Sequence, residues 1–166
     1  MSENRIHIVT MNESHWGHVL AIYNEGLATG NATFETEVPD WNHWNTSFKE
    51  SCRLVAESGG QILGWAALKQ VSHRDAYAGV CEVSIYIREK YQGREIGKNL
   101  LKALVAESEK NGIWTLQASV FPENQPSIAL FEKCGFREVG RREKLGRLNG
   151  VWRDVILFER RSTTVL

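Results

Sequence analysis

Tyr91-Gln92-Gly93-Arg94-Glu95-Ile96-Gly97-Lys98 joins a stretch patterned as a strand to a stretch patterned as a helix. Before it, Val80–Ile87 reads as a strand with a clean apolar face. Cys81, Val83, Ile85 and Ile87 form one apolar face, and Glu82, Ser84 and Tyr86 fall on the other. After it, Glu95–Lys110 carries Leu100, Leu101, Leu104 and Val105 on one helical stripe, and Asn111-Gly112 stops it. A small-residue turn entering a helix offers free N–H groups at the positive end of the macrodipole, a place that suits an anionic phosphate. Arg94 and Lys98 add full charges. The spacing excludes two nucleotide motifs. G-x-x-x-x-G-K-[ST] fails because Gly93 and Gly97 are one residue too close and Asn99 replaces the hydroxyl, and the dinucleotide fingerprint lacks a third glycine. From the loop alone, an ordinary strand-to-helix turn is equally open.

Working outward, Arg5–Thr10 reads as a short strand and Glu13–Leu27 as a helix with Trp16, Val19, Leu20 and Tyr23 at helical spacing. Ala28–Val38 is irregular, and Asp40 can cap a helix through Trp41, Trp44 and Phe48. Arg53–Glu57 and Gln61–Lys69 are strands around Ser58-Gly59-Gly60, and Val71–Gly79 is a polar loop. Ile113–Val120 is a strand with Trp114, Leu116, Ala118 and Val120 on one face. Pro126–Cys134 is a short helix ended by Gly135. Phe136–Lys144 and Val151–Arg160 are strands, with Asn149-Gly150 as a turn between them. The order implies an α/β fold with a mixed sheet, antiparallel early and parallel around the Glu95–Lys110 helix.

The chain has 166 residues, 42% of them hydrophobic, enough for one domain to bury a core without disulfides or metal. Twenty basic residues balance twenty acidic ones, which argues against a nucleic-acid footprint or a polybasic membrane patch. No apolar run approaches the roughly 18–20 residues of a membrane span, and Met1–Arg5 lacks the layout of a signal peptide. Cys52, Cys81 and Cys134 are odd in number and widely spaced, which suits a reducing cytoplasm and buried thiols. His15 and His18 have no carboxylate or cysteine companion, so no metal site is expected. A small-molecule partner is expected.

The loop resembles the pyrophosphate-binding motif Q/R-x-x-G-x-G/A of the GNAT superfamily of acyl-CoA-dependent N-acyltransferases. Gln92 and Gly97 match its ends, and Glu95 departs from its central glycine. Asn124-Gln125-Pro126-Ser127, followed by Leu130-Phe131-Glu132-Lys133-Cys134-Gly135-Phe136, is similar to the same superfamily's N-x-x-[SA]…L[YFH]-x-x-x-GF segment. A narrower likeness runs through Ala32–Glu37, Arg74–Tyr77, Glu82–Ile87 and Gly150–Asp154. These resemble the phosphinothricin and methionine sulfoximine N-acetyltransferase branch, to which arsinothricin acetyltransferases are close.

The resemblance implies a single GNAT-type domain over residues 1–166, with a mixed central sheet and helices on both faces. It implies direct transfer from acetyl-CoA to the α-amino group of a small amino-acid analogue, in a cytoplasmic enzyme that is commonly a homodimer. The cofactor would contact Ile85, Tyr86, Ile87, Gln92, Gly93, Arg94, Glu95, Ile96, Gly97, Lys98, Asn124 and Ser127. Phe34, Arg74, Tyr77 and Ser84 would line the acceptor pocket.

Glu82 can be read two ways. A carboxylate in an apolar strand is costly unless it is partnered or functional, so it forms a structural pair with an Arg or Tyr, or it serves as general base for the substrate ammonium. The resemblance favours the base. An Arg fork such as that of Arg74 can hold a carboxylate or phosphinate bidentately. A backbone N–H near Ile85 is the implied oxyanion donor. Phe131 stands where relatives carry Tyr or His, so the general acid is unassigned. If φ at Glu95 is negative, its missing glycine is dispensable. Two other readings stay open, a GNAT enzyme acting on another amine or a peptide N-terminus, and a non-catalytic acetyl-CoA sensor.

Overall fold

The computed structural model describes residues 5–166, so residues 1–4, on which the signal-peptide reading partly rests, lie outside it. Four helices and seven strands follow the expected order. They are β1 (His7–Thr10), α1 (Trp16–Ala28), α2 (Trp41–Ser47), β2 (Leu54–Ser58), β3 (Gln61–Gln70), β4 (Val80–Ile87), α3 (Ile96–Lys110), β5 (Thr115–Val120), α4 (Gln125–Lys133), β6 (Arg137–Leu148) and β7 (Val151–Arg161). One mixed sheet runs in the order β1-β2-β3-β4-β5-β7-β6. Only β4 and β5 are parallel neighbours.

Local chemistry sets the helix starts. The Asn12 side chain accepts from the Ser14 N–H and opens a 3-10 turn at Glu13–His15 that feeds α1. His15 closes that turn by accepting the Asn12 N–H on Nδ1 at 3.1 Å, a capping job rather than a ligand's. Asp40 accepts the His43 N–H at 2.8 Å and caps α2 as expected.

Alternation then sorts the sheet into two faces. One packs on α3 and α4 through Leu68, Cys81, Val83, Leu100, Leu101, Leu104, Leu116, Phe131 and Phe158. The other packs on α1 and α2 through Val19, Ile22, Tyr23, Trp44, Phe48, Val55 and Trp65. Helices therefore cover both faces.

Most boundaries shift from expectation by one to three residues, as α1 does in starting at Trp16 rather than Glu13 and β5 in starting at Thr115 rather than Ile113, and three of the shifts bear on the site or its surroundings. β1 begins at His7 rather than Arg5. α3 begins at Ile96, because Glu95 has φ +62° and cannot be helical. β6 does not end at Lys144 but runs to Leu148 through a bulge between Arg142 and Gly146, with Lys144 at φ +46°. The bulge absorbs the irregular residue and keeps the ladder going.

The pairing of β4 with its two neighbours is unequal. Against β3 it is continuous from Gln70↔Cys81 to Gly64↔Ile87. Against β5 it covers only Val80↔Thr115, Cys81↔Leu116 and Glu82↔Gln117. Beyond Glu82 the two parallel strands part, and a gap opens in the middle of the sheet.

Candidate active site

Glu82 stands where the strands part. Its neighbours in register are Lys69 on β3 and Gln117 on β5, Gln117 lies opposite Glu159 on β7, and Glu159 lies opposite Arg137 on β6. Alternation puts this polar row on the face away from α3, since Cys81, Leu116 and Phe158 take the α3 side. Arg137 and Glu159 form an ion pair at 2.6 Å. The Lys69 ammonium turns away and lies 4.7 Å over the Phe48 ring.

Glu82 is half-buried, and among the described residues its carboxylate has no hydrogen bond or ion pair. No structural pair with an Arg or Tyr forms. Two cavities flank the row. One of about 300 Å³ is lined by Tyr23, Glu35, Trp44, Phe48 and Lys69. The other, about 470 Å³, is lined by Ser72, Tyr77, Trp114, Gln117 and Glu159.

The Gln92–Lys98 loop lies at the end of β4 and opens α3. Gly93 has φ +77° and Glu95 +62°, so the chain turns through two left-handed residues before the helix. The condition for a dispensable glycine at 95 is therefore not met: this position has the backbone that glycine favours. The first N–H groups of α3, from Ile96 to Lys98, have no acceptor within the helix.

Glu95 points outward, its side chain 74% exposed and its carboxylate 4.0 Å from the Lys98 ammonium. Arg94 lies 5.5 Å from the Tyr91 ring. The Ile96 side chain is buried with Ala56 and Leu63, so only its backbone faces the loop. A Cβ on Gly97 would stand 3.4 Å from Leu130 and 3.7 Å from Ile87, so anything larger than glycine narrows the floor where α3, α4 and β4 meet. Free N–H donors, two cations and a small-residue floor fit a pyrophosphate group.

The remaining expected residues divide between open and committed side chains. Arg74 is exposed and lies 5.6 Å from the ring of Tyr77, itself 46% exposed, at a 3-10 turn held by Gln70. Ser84 shares the face of Glu82. Phe34 packs edge-on against Phe121 at 4.8 Å. The Tyr86 side chain is core, stacked between Tyr23 and Trp65 at 5.0 Å from each. Burial pushes its phenol well above the ordinary tyrosine value, and Tyr23 is raised for the same reason, with Glu35 adding to it.

Ile85 and Ile87 pack against the α3-side core, so this part of β4 offers the gap its backbone. The Gln92 amide donates to the Ile87 carbonyl at 3.5 Å. Asn124 caps α4 through the Ser127 N–H at 3.3 Å and donates to the Asn31 carbonyl at 3.1 Å. Its side chain is a structural link between α4 and the α1–α2 segment. Sequence reasoning missed Lys69, Gln117 and Glu159, whose place beside Glu82 depends on strand order and register.

The chain as a whole has counterparts among known proteins. A family model described as acetyltransferase (GNAT) family matches residues 13–136. This chain is a GNAT-family acetyltransferase. It is 34% identical over 153 residues to phosphinothricin N-acetyltransferase of Alcaligenes faecalis, covering 86% of this chain and 75% of the relative. It is 25% identical over 147 residues to L-methionine sulfoximine/L-methionine sulfone acetyltransferase of Pseudomonas paraeruginosa, covering 85% and 86%. Among solved structures, a GNAT superfamily phosphinothricin acetyltransferase from Sinorhizobium meliloti in complex with AcCoA superposes with a TM-score of 0.85 at 26% identity, covering 94% of this chain and 88% of that one. The GNAT match stops at Phe136, whereas the structural likeness takes in most of the chain, including β6 or β7 residues.

Proposed function

We propose that the protein transfers the acetyl group of acetyl-CoA to the α-amino group of a small amino-acid analogue of the phosphinothricin, methionine sulfoximine or arsinothricin type. One observation carries the reading: the half-buried carboxylate of Glu82, without a partner among the described residues, at the mouth of the gap between β4 and β5. Acetyl-CoA, when bound, supplies an acetyl group already activated as a thioester. The chain supplies the rest. Glu82 takes one proton from the acceptor ammonium and so frees the nitrogen lone pair.

Arg74 pairs its fork with the acceptor's acid group, and Tyr77, Phe34 and Ser84 bound the pocket. The backbone of Ile85–Ile87 beyond the last β4–β5 pair donates hydrogen bonds into the gap. Gln92–Lys98 holds the pyrophosphate, with Asn124 and Ser127 at the start of α4 on its border. Phe131 is buried against Phe136 and Phe158, so no side chain there protonates the leaving thiol, whose pKa near ~8.5 makes that help dispensable. Exposed Val139, Leu145, Val151 and Trp152 on β6 and β7 support a homodimer. Three widely spaced cysteines support a cytoplasmic location.

The test is release of free CoA thiol on mixing the protein and acetyl-CoA with a panel of amines. Phosphinothricin and methionine sulfoximine are expected to release thiol fastest. Release only with peptide N-termini or simple amines would overturn the acceptor class, and binding without release from any amine would favour a sensor.

A further inference from the structure

Arg153 lies near the start of β7 with 13% of its side chain exposed, and it reaches across to the segment between α1 and α2. Its Nη1 donates to the Gly30 carbonyl at 2.8 Å, and its Nη2 donates to the Asn31 Oδ1 at 2.8 Å and to Glu123 at 3.2 Å. The guanidinium lies 4.1 Å over the Phe121 ring. Asn31 is held twice, because its carbonyl also accepts from Asn124, the N-cap of α4. Three residues on, Phe34 packs on the same Phe121 ring and over Gly146, where a Cβ would stand 2.9 Å from the Phe34 ring. The Glu123 end is half-exposed and replaceable. The bonds to the loop are sheltered, charge-assisted and directional. A largely buried cation is thus committed to one irregular loop.

We propose that Arg153 is a positioning residue for acceptor binding. It fixes Gly30 and Asn31, and through them the placement of Phe34, so the β6–β7 hairpin builds one wall of the acceptor pocket. Asn124 ties the same loop to the helix that borders the cofactor groove. This rests on the reading of Phe34 as an acceptor-pocket residue.

The test compares Arg153→Met and Arg153→Lys by acceptor KM, acetyl-CoA KM and hydrogen exchange of the 30–34 amides. A misplacement of about 1 Å can cost about 10²-fold in productive binding and turnover. Arg153→Met should raise acceptor KM about tenfold, speed exchange in the loop, and leave the acetyl-CoA KM within about twofold. Arg153→Lys should fall between, since an ammonium reaches one acceptor and cannot form the fork. A folded Arg153→Met variant with unchanged exchange and unchanged acceptor KM overturns the proposal. Faster exchange with unchanged acceptor KM would instead show that Arg153 holds the loop but the loop is not the acceptor wall, which overturns the reading of Phe34. Should Arg153→Met not fold, Asn31→Ala removes one of the two bonds from Arg153 to the loop and Arg153→Lys keeps only one acceptor, and unchanged acceptor KM in both overturns the proposal.

Discussion

At the scale of single residues, Glu82 and Glu95 are opposite cases of a carboxylate at a cost. Glu82 is half-buried with no partner among the described residues, a state that stability alone does not favour. Glu82→Gln keeps the size and the hydrogen-bonding capacity but accepts no proton at neutral pH. The rate should fall by roughly 10²–10⁴ while acetyl-CoA binding, read by calorimetry, stays the same. An unchanged rate between about pH 6 and 9 would make Glu82 structural. Glu95 carries its cost in the backbone, since left-handed geometry costs a non-glycine residue about 1–2 kcal/mol. Glycine there gives back about 0.4–1 kcal/mol to the unfolded chain. Glu95→Gly should therefore stabilise the fold by about 0.5–1 kcal/mol, seen as a raised urea midpoint. Because the side chain points outward, the acetyl-CoA KM should move less than about threefold by the distance law for screened charges. A tenfold drop would mean the carboxylate turns inward onto the cofactor. The face of Glu82 was legible from alternation alone, whereas the sign of φ at 95 was not, because a loop's dihedrals depend on where both of its ends are anchored.

At the scale of elements, the β6–β7 hairpin departs furthest from its sequence reading. Its turn was plain, since Asn149 and Gly150 take φ +49° and +80° as a tight hairpin requires. Its length was not, because β6 is exposed along nearly all of its residues and shows no alternation to follow. Asp154 organises the bulge. Its Oδ1 accepts the Lys144 N–H at 2.8 Å, and its Oδ2 accepts from Arg141 Nε and Nη2 at 2.9 and 2.7 Å. The Lys144 N–H first, then Arg141, holds the Asp154 carboxyl below its ordinary range. A depressed folded value means its stabilisation is full above the unfolded value, near ~3.9, and is lost as pH falls through the lower folded one. Asp154→Asn should flatten that acid limb in urea titrations at stepped pH. The same acid dependence in both proteins would show that this bond does not form in solution. The polar row Lys69–Glu82–Gln117–Glu159 was hidden for a related reason. Each residue's face can be read within its own strand, but the pairing that brings four strands' residues side by side is a property of the ladder.

At the scale of the whole molecule, the element order and the two-sided core were legible, because α3 has one clean apolar stripe and the odd positions of β4 are all apolar. The loop spacing also excluded ATP. Acetyl-CoA at a hundred times its Kd should add about 2.7 kcal/mol to stability, roughly 5–10 °C in Tm, and ATP should add little. A rise with ATP and none with CoA would overturn the cofactor assignment.

The parting of β4 from β5 has a mechanical consequence. With only three residue pairs between them, the sheet is two leaves stitched by a short seam: β1 to β4 on one side, β5, β7 and β6 on the other. The backbone groups that line the open part of the seam still demand partners, and water is a loose one. An extended ligand lying along that opening would serve as the absent strand, a splint that completes the weave and stiffens one leaf against the other.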